Sequence, residues 1–174
     1  MQQYDRVFLI GPMAAGKSAI GRQLAQHLNF EFYDSDQVIE QRCGADITWI
    51  FDVEGETGFR RREATVVAEL TTCAHSVLAT GGGAVLLPEN RDALRSRGLV
   101  IYLQASLDTL LLRTEKDKKR PLLQMGDKRQ VLERMLLLRD PLYRETAHIC
   151  VSTDSHNMQT TLREIHDHLV DRLS

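Results

Sequence analysis

The sequence predicts an α/β fold, a parallel sheet covered by helices on both faces, and three observations carry that prediction. Short apolar runs alternate with longer stretches of helical period. The first run, Val7 to Ile10, is continuously apolar, as a strand buried on both faces must be, and a glycine-rich segment follows it at once. The 174 residues are 43% hydrophobic and 26% charged, which suits one compact core and a single domain spanning 1–174.

Taken in order, Val7 to Ile10 reads as strand one. Ile20, Leu24, Ala25 and Leu28 then recur on one face of a helix. Phe30 to Tyr33 reads as strand two, and Phe59, Glu63, Val67 and Leu70 form the next helical stripe. Val77 to Ala79 is strand three. Pro88 suits the first turn of a helix running to Arg97, and Gly98 suits its stop before strand four, Leu99 to Leu103. Leu107, Leu110 and Leu111 mark another helix, and Val131, Met135 and Leu138 the one after it, with Arg139 placed at its end. Ile149 to Val151 is a short fifth strand, and Met158, Leu162, Ile165 and Leu169 line a last helix. The polar window Thr114 to Arg120, followed by Gln124 to Gln130, holds Lys116, Lys118, Lys119, Arg120, Lys128 and Arg129. It reads as a mobile flap, with a lid at about 114–127.

Composition excludes several classes of function. Lys plus Arg number 22 against 24 Asp plus Glu, a net charge of −2, so no global basic field recruits nucleic acid or an anionic membrane. No apolar run approaches the ~20 residues of a membrane span, and the start lacks a charged end followed by an apolar stretch. A cytoplasmic protein is expected. Cys43, Cys73 and Cys150 have no Cys-x-x-Cys partner and are expected to be reduced and buried. His166 and His168, two apart on a helix, do not share a face and are read as surface residues.

Gly11-Pro12-Met13-Ala14-Ala15-Gly16-Lys17-Ser18 fits G-x-x-x-x-G-K-[ST] between a buried strand and an amphipathic helix. Such a loop curls so that consecutive N–H groups and a helix N-terminus converge on phosphate oxygens, with lysine neutralising the β and γ phosphates. The Ser18 hydroxyl suits Mg²⁺. Asp34-Ser35-Asp36 stands where strand two ends, and in extended chain the two carboxylates project from one face; a turn built from helix-capping Asp and Ser is the alternative. Strand three ends Ala79-Thr80-Gly81 without a carboxylate, so Asp34 is the obvious metal partner, through the water shell. Asp36 then hydrogen-bonds, and deprotonates, an attacking hydroxyl.

Gly81-Gly82-Gly83 leaves bare backbone at the carboxyl edge of the sheet, where a small polar ligand can approach main-chain N–H groups; a flexible hinge is the alternative. Within Phe59-Arg60-Arg61-Arg62-Glu63, helical geometry lets Arg60 point inward with Glu63 fixing its guanidinium, while Arg61 and Arg62 stay in water. Arg60 and Arg139 can clamp an anionic acceptor, although for each a structural salt bridge is an equal reading. Arg120, stiffened by Pro121, is placed to close on the phosphates; a solvated charge run is the alternative. His156 stands before the last helix, where a place near the nucleotide base is one reading and a residue without a ligand role the favoured one.

Together the loop Gly11 to Ser18, Asp34-Ser35-Asp36, Phe59-Arg60 with Glu63, Gly81-Gly82-Gly83, Arg120-Pro121-Leu122 and Arg139 with Pro141-Leu142-Tyr143 closely resemble the shikimate kinase family, over almost the whole chain. That resemblance implies a P-loop kinase three-layer sandwich with strand order 2-3-1-4-5. It implies an enzyme that moves the γ-phosphate of ATP to the 3-hydroxyl of shikimate, on the way to chorismate and aromatic amino acids; a monomer is expected, though nothing in the residues fixes the oligomeric state. By the same resemblance, ATP is bound by Ala14, Ala15, Gly16, Lys17, Ser18, Ala19, Arg120 and His156. Mg²⁺ is bound by Ser18 and Asp34, and shikimate by Asp36, Arg60, Gly82, Gly83 and Arg139. Lys17, Asp36 and Arg120 are the catalytic set. Family loops commonly carry Gly where Ala14 stands, and the added methyl is expected to restrict the turn and change nucleotide affinity modestly.

The residues alone describe a small-molecule kinase with an anionic, hydroxylated acceptor, which also fits gluconate kinases and nucleoside monophosphate kinases. A nucleotide-driven binding module is the reading from another class. It has no basic helix to support it.

Overall fold

The computed structural model of the chain describes residues 4–115, 126–155 and 157–173. Its strands β1 (Arg6–Ile10), β2 (Glu31–Asp34), β3 (Ser76–Ala79), β4 (Leu99–Gln104) and β5 (Ile149–Ser152) form one parallel sheet in the order β2-β3-β1-β4-β5. Helices α1 (Lys17–Leu28), α2 (Ser35–Cys43), α3 (Ile47–Leu70), α4 (Pro88–Arg97), α5 (Leu107–Thr114), α6 (Lys128–Thr146) and α7 (Met158–Leu173) surround it. A single 3₁₀ turn, Ala84–Leu86, follows β3 by way of the three glycines.

Side chains alternate across a strand, so consecutive residues of β1 feed two separate cores. Val7 and Leu9 pack with Ile20 and Leu24 of α1 and with Leu162 and Ile165 of α7. Phe8 and Ile10 pack on the opposite face with Val66 and Val67 of α3, Leu94 of α4 and Tyr143 of α6. Both layers are apolar because β1 is central and covered twice, which is why its sequence shows no alternation. Burying each large aliphatic side chain stabilises the fold by roughly 1.5–3 kcal/mol. Parallel pairing places Asp34 opposite Ala79, and Ala79 opposite Leu9. The carboxyl ends of β2, β3 and β1 are therefore adjacent, and everything that follows them in the chain meets at one edge.

Several sequence expectations are corrected. Strand two runs 31–34 rather than 30–33, because Phe30 donates its N–H to the Ala25 carbonyl as α1 closes at Asn29, φ 56°. Helix α2 carries no clear apolar stripe, burying only Ser35 and Ile39, and periodicity missed it. Helix α3 begins well before Phe59 and is interrupted at Gly55, φ 70° and ψ −179°. Arg139 does not end its helix, since α6 continues through Pro141 to Thr146. Proline cannot donate to the Leu137 carbonyl one turn back, and Leu137 lies on the exposed side. Leu138, read as core-facing, is 70% exposed, and the inner face of α6 carries Leu132, Arg139 and Tyr143 instead. Thr114 belongs to α5, fully buried, and not to the flap. Cys150 is exposed because β5 is an edge strand with an uncovered outer face, and Cys43 and Cys73 are only half-buried. No helix among the described residues is long and apolar enough to cross a membrane.

Candidate active site

The loop between β1 and α1 is built from main chain. At Gly11, φ is +147° and a Cβ would stand 2.5 Å from the Leu103 carbonyl oxygen, so only glycine fits there. Gly16 opens α1 in the left-handed region, φ 94°, and supplies no side-chain cap. The first-turn amides of α1 therefore have no acceptor from the cap residue, which is the arrangement that attracts an anion. Ala14 also lies in the left-handed region, φ 63°, where its methyl group costs energy that glycine would not incur. Lys17 is buried and donates to the carbonyls of Gly11 and Pro12, at 2.7 Å each.

Asp34 closes β2 and caps α2 in the same stroke. Its Oδ1 accepts from the N–H groups of Asp36 and Gln37, at 3.0 and 3.2 Å, and its Oδ2 accepts from the Ser18 hydroxyl at 2.5 Å. The two aspartates are therefore not paired along an extended chain. Asp36 lies in the first turn of α2, aimed differently from Asp34. A cavity of about 200 Å³ nevertheless brings the predicted residues Lys17, Ser18, Asp34 and Asp36 together, walled also by Ala14, Gly16 and Ala19 and by Gly81 and Gly82. Asp36 Oδ1 is buried without a hydrogen-bond partner. Burial, then the carboxylates of Glu63 and Asp34, push the Asp36 carboxyl up to about 7, against the pull of Lys17. A base poised near neutral pH is what proton abstraction from an alcohol requires.

Beyond Asp36 the three glycines form a floor. Gly81 donates its N–H to the Ser35 hydroxyl at 2.9 Å, and Tyr143 donates its hydroxyl to the Gly82 carbonyl at 2.5 Å. Two guanidinium groups lie on this floor. A Cβ on Gly83 would fall 2.3 Å from an Arg60 nitrogen, and one on Gly82 would fall 3.6 Å from Arg139 Nη1. Arg60 donates to Glu63 at 2.8 Å, as the helical spacing predicts, and Glu63 is fully buried. Burial raises the Glu63 carboxyl, while Arg60 and then Arg139 oppose the rise. Arg62, expected in water, forms a two-pronged ion pair with Glu54. The resulting recess offers two cations, bare backbone and one proton acceptor, a set suited to a small hydroxylated acid.

On the other side of the loop a cavity of about 210 Å³ is lined by Ala14, Ala15, Gly16, Arg113 and Asn157. Arg113 donates to the Ala14 carbonyl at 3.1 Å and to the Thr153 carbonyl at 2.6 Å, tying the loop to the end of β5. Sequence reasoning missed Arg113, Thr153, Ser35 and the hydroxyl of Tyr143. Only Ser35 and Tyr143 stood within quoted motifs. Arg120 and His156 lie outside the described residues. A larger cavity, about 590 Å³, sits at the opposite edge of the sheet, where Arg95 and Arg97 are engaged with the carbonyls that end α6 and α3. Volume does not mark the chemistry; the convergence of charged groups on bare backbone does. Among the described residues no three His, Cys, Asp or Glu side chains are grouped to hold a metal ion.

The shikimate kinase family model matches residues 13–172. A shikimate kinase of Haemophilus influenzae (strain PittEE) is 54% identical over 175 residues, covering 100% of this chain and 97% of its own. The solved shikimate kinase from Acinetobacter baumannii, in complex with shikimate, superposes with a TM-score of 0.94 at 45% identity, over 98% of this chain and 96% of that one. A gluconokinase from Sinorhizobium meliloti, with a TM-score of 0.60 and 16% identity over 98% and 94% of the two chains, shares the fold alone.

Proposed function

Since the chain belongs to the shikimate kinase family, we infer that it transfers the γ-phosphate of ATP to the 3-hydroxyl of shikimate, giving shikimate 3-phosphate and ADP. This places it in the route to chorismate and the aromatic amino acids. One observation carries the assignment of roles within the chain: Asp36 shares a cavity with Lys17 and Ser18 while the arginine-floored recess opens beside it. Donor and acceptor then meet at Asp36.

In this reading Lys17, with the amides of Ala14 to Ala19, holds the β and γ phosphates, exchanging its contacts to Gly11 and Pro12 for phosphate oxygens. The cavity beside Arg113 takes the nucleoside end. Arg60 and Arg139 grip the acceptor's carboxylate, and the backbone of Gly82 and Gly83 supports its ring. Asp36 accepts the proton of the 3-hydroxyl as that oxygen attacks phosphorus in line and ADP departs. A loose transition state asks little covalent help, so orienting the hydroxyl is as much the task of Asp36 as removing its proton. Arg120 would complete the neutralisation of the transferring group, and His156 would stand near the base.

The pair Ser18 and Asp34 offers hard oxygen donors 2.5 Å apart at the mouth of the phosphate loop, a set that fits Mg²⁺ with most of its water retained. The ion, when bound with ATP, supplies positive charge against the phosphate oxygens. We place the enzyme in the cytoplasm as a monomeric single domain.

The test is an ADP-release assay with a panel of acceptors. Shikimate stimulates release, while gluconate and AMP do not; release on gluconate or AMP without release on shikimate refutes the assignment.

A further inference from the structure

We propose that Tyr143 is a positioning residue for the acceptor site, acting through the hydroxyl that it donates to the Gly82 carbonyl. The inference rests on the reading of Gly82 and Arg139 as acceptor-binding groups and assigns the part that holds them in register.

Four observations carry it. The phenol oxygen is 2.5 Å from the Gly82 oxygen, and Tyr143 is 1% exposed, so no water competes for that bond. Tyr143 lies one turn after Arg139 on α6, so the helix that delivers the clamp arginine also delivers the tie to the floor beneath it. Gly82 has no side chain of its own to anchor it, and its neighbour Gly81 is anchored from the other side by the Ser35 hydroxyl at 2.9 Å. The floor is thus held from α2 by an acceptor and from α6 by a donor. Burial raises the phenol to about 12, and charge and hydrogen bonding from Arg139 work against that rise, so the phenol stays protonated and donating throughout the working range.

The ring has a separate task. It packs against Tyr102 with centroids 4.9 Å apart, and Tyr102 sends its own hydroxyl to Asp140 at 2.6 Å, away from the floor. Tyr102 therefore provides the control: the same ring pair and the same atom removed, without the tie to Gly82.

The experiment compares Y143F and Y102F with the unmodified enzyme, measuring kcat and KM for shikimate and for ATP, with direct calorimetric titration of shikimate and a thermal melt of each protein. Y143F keeps the packed ring, and leaving the buried Gly82 carbonyl unpaired is expected to raise the shikimate KM and dissociation constant about tenfold. The ATP KM stays within about twofold and kcat within about threefold, and Y102F leaves the shikimate KM unchanged. Unchanged shikimate affinity in folded Y143F overturns the proposal. So does an equal rise in both KM values, or an equal rise in Y102F, since each signals general loosening. If Y143F does not fold, the tie is structural and the proposal fails. Absence of shikimate-dependent turnover in the unmodified enzyme instead refutes the acceptor reading itself, and the proposal with it.

Discussion

The two halves of the proposed active site, one for the phosphate donor and one for the acceptor, are made in opposite ways. The donor half is one run of eight residues, Gly11 to Ser18, whose chemistry is mostly backbone and whose shape follows from local φ and ψ. The acceptor half is assembled from α2, α3, the glycine floor and α6, from residues as far apart as Asp36 and Arg139, and its chemistry resides in buried charges. A local loop is stable wherever a strand and a helix flank it. A recess of buried charges holds together only while every partner is present, because an orphaned charge in low dielectric is costly. Substitutions in the acceptor half should therefore be severe and selective, and those that respect the donor loop's geometry mild.

The largest effect is expected at the point where the halves touch. D36N keeps shape and removes the proton acceptor, and turnover should fall by about 10²–10⁴ while ATP affinity is retained, as stopped-time ADP release and nucleotide titration will report. Loss of ATP binding in parallel would blur the division between the halves. Next, R139K replaces a planar fork with a point charge against the glycine floor. The shikimate KM should rise about tenfold to a hundredfold with the ATP KM unchanged, measured by varying each substrate in turn.

The pH dependence sharpens the comparison further. The Asp36 carboxyl, ordinarily near 3.8, is raised to about 7. Below that value the carboxylate protonates, so kcat/KM for shikimate should fall about tenfold per pH unit on the acid side. The stability consequence has the opposite sign. A raised acid binds its proton more tightly in the folded state, so its favourable contribution is full below 3.8 and is lost as pH rises through about 7. D36N should accordingly melt above the parent at pH 8, and the gap should close as pH falls to 4. An equal gap at both values would deny that burial of this charge is the cause. The smallest effect belongs to the donor loop. A14G relieves the left-handed alanine at φ 63° and should raise stability by about 0.5–1 kcal/mol in denaturant unfolding, with a modest change in ATP affinity and none in that for shikimate.

This contrast also explains what could be read before the fold was known. The phosphate loop and the buried strand before it are local patterns, and the spacing of Arg60 and Glu63 is a helical one; all three stood in the sequence as they stand in space. The strand order was accessible only through resemblance to a family, and the arginine clamp from the residues only as one of two equal readings, since nothing in the spacing of Arg139 and Gly82 says that they meet. Helix α2 escaped because Ser35 and Ile39 alone are fully buried, with Val38 and Cys43 only partly so, and the cap formed by Asp34 was outweighed by an extended reading of Asp34 to Asp36. Arg113 gave no signal at all: its contact with Ala14 spans 99 residues and arises because β1, which leads into the loop, pairs with β4, which leads into α5.

The doubly engaged carboxylate of Asp34 has one last implication. One oxygen already starts a helix and the other already holds Ser18, so the hard donors that a hydrated cation would meet are marshalled before it arrives. Its entry would trade the Ser18–Asp34 hydrogen bond for bonds to the same oxygens. For the cation proposed there, the entropic toll of organising its seat would already have been settled during folding, and it could come and go with the nucleotide without remodelling the wall behind it.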